Sequence, residues 1–71
     1  MTGGGQLLVN GEARPWRGLS LRELLAEVGV DPEGGGLAVA VNGRVVVRND
    51  WMTTAPDPGD RVEIVKVFKG G

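Results

Sequence analysis

At 71 residues the chain has room for one small domain, and a core of that size rarely supplies more than ~3–5 kcal/mol without staples. Cysteine and histidine are both absent, which excludes disulfides and a thiol nucleophile and argues against a zinc site, so no metal is expected. Nine acidic against eight basic residues, a net charge of −1 and scattered Lys and Arg give no basic face for nucleic acid, and no apolar run approaches the ~20 residues of a membrane span. The stretch Met1-Thr2-Gly3-Gly4-Gly5 lacks the basic and apolar regions of a signal peptide, so a cytoplasmic protein is expected.

After this glycine-rich start, Gln6 to Asn10 reads as a strand with Leu7 and Val9 on one face, and Asn10-Gly11 is a two-residue hairpin signal, because both turn positions need positive φ. Glu12 to Trp16 returns, and Pro15, having no backbone donor, places this strand at a sheet edge. Ser20 and Glu23 form a capping box, with Leu19 and Leu24 spaced as a hydrophobic staple. Leu21, Leu24, Leu25 and Val28 recur at the helical period and Gly29 supplies the stop, which predicts a short amphipathic helix from Leu21 to about Val28. Asp31 to Gly36 is a loop, Leu37 to Val41 a strand, Asn42-Gly43 a second hairpin turn, and Arg44 to Arg48 its return. A polar, proline-bearing stretch from Asn49 to Asp60 carries Trp51 as its one large anchor; Arg61 to Val67 is the last strand, and Phe68-Lys69-Gly70-Gly71 is left as a tail.

The order is therefore ββαβββ, an α+β fold in which one helix covers one face of a mixed sheet of four or five strands. A right-handed crossover sets the first and last strands side by side in the middle, the arrangement of the ubiquitin-like β-grasp. Residues 1–71 read as one such domain, with a flexible N-terminal 1–5 and a C-terminal tail 68–71. The expected core is Leu7, Val9, Leu21, Leu24, Leu25, Val28, Val39, Val41, Val62 and Ile64.

Chemistry is concentrated at the tail. With 13 glycines in the chain, chance places a pair at the last two positions only ~3% of the time, treating positions as independent. Two residues without side chains let a backbone pass through a narrow channel and approach another backbone closely, so Gly70-Gly71 suits a tail that presents its carboxylate to an enzyme. The last strand carries apolar residues on both parities: Val62 and Ile64 on one, Val65 and Val67 on the other. The helix covers one face, so Val65, Val67, Leu8 and Val46 are candidates for a partner-binding surface on the other. Other features have plainer readings. Gly34-Gly35-Gly36 precedes a strand, whereas a phosphate loop follows one and opens a helix. Glu23, Glu27, Asp31 and Glu33 read as solvated carboxylates, Asp57 and Asp60 as turn residues, and Trp51 as a packing anchor.

From Leu8 onward the sequence resembles the thiamine-biosynthesis sulfur-carrier (ThiS) family of β-grasp proteins. The resemblance is carried by Val9-Asn10-Gly11-Glu12, Ser20-Leu21-Arg22-Glu23-Leu24-Leu25, Val39-Ala40-Val41-Asn42-Gly43, Val46-Val47-Arg48-Asn49-Asp50-Trp51, Gly59-Asp60-Arg61-Val62-Glu63-Ile64-Val65 and Gly70-Gly71. The Arg48…Trp51 spacing and the proline-free tail are similar to the thiamine branch more than to the molybdopterin branch, while Ala55-Pro56-Asp57-Pro58 and Phe68-Lys69 depart from the usual pattern. The resemblance implies a carrier and not an enzyme. A ThiF-like adenylating partner, which itself binds the ATP, activates the Gly71 carboxylate; a sulfur donor such as a cysteine desulfurase system converts it to a thiocarboxylate; and thiazole synthase accepts the sulfur. Phe68, Lys69 and Gly70 would thread the partner's channel, and the chain binds no cofactor and is a monomer on its own. The alternatives are a related carrier for molybdopterin synthesis or tRNA thiolation, a ubiquitin-like modifier, and a binding module with an inert tail.

Overall fold

Five strands pair in the order β2-β1-β5-β3-β4, in a computed structural model that describes residues 5–66. The strands are β1 (Gln6–Val9), β2 (Glu12–Pro15), β3 (Leu37–Val41), β4 (Arg44–Val46) and β5 (Arg61–Lys66), with one helix, α1 (Leu21–Glu27), between β2 and β3. The sheet is mixed: β1 and β5 run parallel at its centre, and the other neighbours are antiparallel. Pro15 lies in the edge strand β2, where its missing N–H removes no ladder bond. The expected flexible N-terminus falls largely, and the expected tail wholly, outside the described residues.

Helix α1 starts and stops by the means its sequence supplies. The Ser20 hydroxyl accepts from the Glu23 N–H at 3.2 Å and the Glu23 carboxylate accepts from the Ser20 N–H at 2.9 Å, which also holds the Glu23 carboxyl below its ordinary pKa. The other free N–H groups of the first turn find main-chain acceptors, Leu21 on the Thr54 carbonyl (2.8 Å) and Arg22 on that of Trp51 (3.2 Å). At the far end Gly29 adopts φ 86°, and the N–H groups of Gly29 and Val30 reach back to the carbonyls of Ala26 and Leu25 at 3.2 and 2.9 Å, closing the helix in a Schellman motif that needs a left-handed residue.

The apolar stripe Leu21, Leu24 and Leu25 is buried against Leu7, Val9, Val39 and Val62 of the sheet. Trp51 is buried with them, while Val28, Val41 and Ile64 are half-buried at the margin of the cluster together with Trp16, Val30, Leu37 and Val46. Trp51 joins the core through a single 3-10 turn, Arg48–Asp50. Its indole N–H donates to the Val46 carbonyl at 2.8 Å, and the Arg48 guanidinium stacks 4.7 Å from the ring centroid, a cation–π contact. That guanidinium also donates to the carbonyls of Pro32 and Gly34, strapping the glycine-rich loop to the turn. Strand β4 consequently ends at Val46, two residues short of the Arg48 expected from sequence. Pro56, in the proline-rich approach to β5, is buried, and its carbonyl accepts from the Trp16 indole at 2.9 Å.

Both Asn-Gly hairpin turns form, with Asn10 at φ 51° and Asn42 at φ 52°. Each asparagine also binds the main chain of β5. Asn10 Oδ1 accepts from the Ile64 N–H at 2.7 Å and its Nδ2 donates to the Ile64 carbonyl at 3.2 Å. Asn42 Oδ1 accepts from the Arg61 N–H at 2.9 Å and its Nδ2 donates to the Asp60 carboxylate at 3.0 Å. Asp60 accepts in addition from the Asp57 N–H at 2.9 Å, closing the turn into β5. The Asn42 amide first, and the Asp57 N–H second, hold the Asp60 carboxyl below the usual carboxylate range.

Candidate functional site

Side chains alternate across a sheet, so the registers determine what each face presents. Val9, Val62 and Val41 lie in one row, on the side of α1. The rows between point the other way: Leu8 beside Ala13 and Arg61, Ala40 beside Glu63 and Val45, and Ala38 beside Val65. Leu8 is 39% exposed, Val65 53% and Val45 70%, and Val47, next of that parity after Val45, is exposed as well. The two alanines keep the face shallow along β3. Its charged residues, Arg61 and Glu63, stand toward the start of β5, with Val45 in the row of Glu63 and Val65 one row nearer Lys66, the last described residue.

Leu8 and Val65 therefore occupy the open face as expected. Val46 does not. The pairing Val39↔Val46 puts it opposite a buried core residue, and Val46 packs against the core cluster. The exposed valines of that hairpin are Val45 and Val47, and the signal for them was in the sequence: a two-residue turn at 42–43 fixes 41 opposite 44, 40 opposite 45 and 39 opposite 46. Val67, Phe68, Lys69, Gly70 and Gly71 lie outside the described residues.

The four carboxylates of α1 and the loop after it have local partners. Glu23 caps α1, Glu27 pairs with Arg17 and Glu33 with Arg22, and Asp31 accepts from the Glu33 N–H at 2.9 Å. Among the described residues no helix is long and apolar enough to cross a membrane. What remains for chemistry is a sheet face that, among the described residues, no helix covers and on which Leu8, Val45, Val47 and Val65 are exposed, with a diglycine following β5 in sequence. Such an arrangement suits docking on a broad partner surface while a carboxylate is delivered at a distance.

Comparison with known proteins agrees on the kind of chain this is. The sequence model of the ThiS family matches residues 7–71. A sulfur carrier protein ThiS from Thermus thermophilus is 36% identical over 63 residues, covering 89% of this chain and 95% of that protein. Among solved structures, the crystal structure of a thiamine biosynthesis protein (ThiS) from Geobacter metallireducens superposes with a TM-score of 0.75 at 32% identity, covering 93% of this chain and 99% of the other. A solution structure of a thiamine biosynthesis protein from the same organism gives a TM-score of 0.71 at 32% identity, over 93% and 87% of the two chains.

Proposed function

The chain belongs to the ThiS family and is a sulfur carrier of thiamine biosynthesis, and we propose that its working group is the carboxylate of Gly71. The observation that supports this reading is the reach of the family match, which extends from residue 7 to Gly71. The chemical need is specific. A carboxylate is a poor electrophile until one oxygen becomes a good leaving group, so the Gly71 oxygen attacks the α-phosphorus of ATP on a ThiF-like partner and pyrophosphate leaves. A persulfide, supplied through a cysteine desulfurase system, then attacks the acyl carbon and AMP departs. A thiol attacks the outer sulfur of the resulting acyl disulfide, forming a disulfide and leaving a thiocarboxylate on Gly71. Thiazole synthase takes the sulfur from that group. The carrier contributes the handle, the tail and the docking surface in the cytoplasm, and ATP is held by the partner.

The open face of Leu8, Val65, Val45 and Val47 is where the activating partner docks, with Phe68, Lys69 and Gly70 carrying the carboxylate into its channel. Val65→Glu is expected to weaken association at least tenfold, the scale of an unpaired charge desolvated in an apolar contact, while leaving the fold intact because Val65 is exposed. Titration of the variant against the activating enzyme, with circular dichroism as the fold control, checks this; unchanged affinity moves docking to another surface. The carrier chemistry itself is tested by intact-mass measurement after incubation with a ThiF-like enzyme, ATP and a sulfur donor. One oxygen exchanged for one sulfur at the C-terminus is the expected result, and a mass that never changes with any sulfur-carrier-activating enzyme refutes the reading.

A further inference from the structure

Gly71 lies seven residues beyond Ile64, and past Ile64 strand β5 is paired on its β3 edge alone, so what holds the other edge at Ile64 helps to set the base from which the tail is presented. We propose that Asn10 is a positioning residue for carboxylate activation, acting by clamping β5 at Ile64; the proposal rests on the carrier reading above. The parallel ladder between β1 and β5 runs only through Leu8↔Arg61 and Val9↔Val62, with a last main-chain bond from the Asn10 N–H to the Val62 carbonyl at 2.9 Å. There the chain turns back at Asn10-Gly11 and β1 stops, while β5 continues to Lys66. A further rung of a parallel ladder would need a main-chain acceptor for the Ile64 N–H and a main-chain donor for its carbonyl.

The Asn10 amide supplies both. Its Oδ1 accepts from the Ile64 N–H and its Nδ2 donates to the Ile64 carbonyl, so one side chain replaces one peptide unit and extends the ladder past the turn. On its other edge Ile64 lies opposite Val39 of β3. Ile64 is thus flanked on both sides, two residues before the last described position. Beyond Ile64 the strand is held by β3 alone, Val65 opposite Ala38 and Lys66 opposite Leu37. Without the amide this single-edged stretch lengthens back to Val62, and each residue that frays from it adds ~3.3–3.6 Å of reach and its own backbone freedom to the segment that must place Gly71.

The structure contains its own control. Asn42 stands in the second Asn-Gly turn at nearly the same φ and clamps β5 at Arg61, its other end. Glycine tolerates positive φ, so Asn10→Gly and Asn42→Gly each keep their turn and lose a clamp, one near the tail and one far from it. In Asn10→Gly, amide exchange should rise at Ile64, which loses its acceptor, and also at Val65, whose exchange rises only if the strand end frays. The kcat for adenylation, measured by pyrophosphate release with a ThiF-like enzyme well below the melting temperature, should fall roughly tenfold as the carboxylate leaves near-attack geometry, with KM within about threefold because the docking face remains. Asn42→Gly, at a similar loss of melting temperature, should keep kcat within about twofold. Asn10→Asp keeps the acceptor but sets charge against the Ile64 carbonyl, and it should repeat the pattern if the glycine variant is too unstable to assay. Wild-type protection at Val65, an unchanged kcat, or an equal fall of kcat in Asn42→Gly overturns the assignment. A wild-type chain that is never adenylated sinks the carrier reading instead, and Val65 exchange alone then decides whether Asn10 holds the strand end.

Discussion

Deleting Gly71, or replacing Gly70 by valine, is expected to abolish adenylation and sulfur loading while leaving the melting temperature unchanged. Both residues follow β5 in sequence, and chain termini generally tolerate change because they make few of the contacts that hold a core. Deletion draws the carboxylate back by one residue, ~3.3–3.6 Å of extended chain, and a displacement of about 1 Å can already cost ~100-fold in rate. A β-branched residue at position 70 removes backbone conformations that glycine alone reaches and thickens the tail where it must pass a channel. Intact-mass spectrometry after incubation with activating enzyme, ATP and sulfur donor distinguishes the outcomes. A truncated chain that still exchanges oxygen for sulfur means that Gly71 is not the acceptor.

Trp51→Ala is expected to leave most of the protein unfolded at room temperature. The side chain is among the largest fully buried ones, and truncating a buried tryptophan costs ~3–5 kcal/mol. A domain of this size without disulfide or metal has about that much stability in total. The loss extends beyond packing, because the Val46 carbonyl loses its indole donor and Arg48 its ring. Trp51→Phe separates the two contributions: it keeps most of the aromatic volume and gives up the indole hydrogen bond, a net cost of about 1 kcal/mol. Urea unfolding followed by far-ultraviolet circular dichroism measures both. A Trp51→Ala protein whose midpoint moves no more than that of an exposed-site variant contradicts the placement of Trp51 in the core.

The parts of this fold legible in the sequence are those whose cause is local. Ser20 and Glu23 cap each other within one turn, Gly29 ends the helix it follows, and each Asn-Gly pair fixes a hairpin by its own φ preferences. Pro15 announced an edge strand because its missing donor is a property of the residue alone. What escaped the sequence depends on partners far away. Arg48 reads as the end of a strand, and only its bonds to Pro32 and Gly34 explain why the chain turns there. That Asn10 and Asn42 grip β5, 54 and 19 residues later, likewise has no local signature. Val46 is a different case: hairpin register would have placed it on the core side, but its hydrophobicity alone drew it to the open face. The diglycine is read from its position in the sequence alone, after the last strand.

The central place of β5 also bears on the life of the chain before it works. Arg61–Lys66 is inserted between β1 and β3, and its partner Leu8 is 53 residues away in sequence. During synthesis, β1 and β3 emerge from the ribosome with a gap between them that only the final strand can close, so the sheet forms as a whole late and through long-range closure. A nascent or prematurely ended chain lacking β5 has neither the central strand nor the valine-lined face built on it.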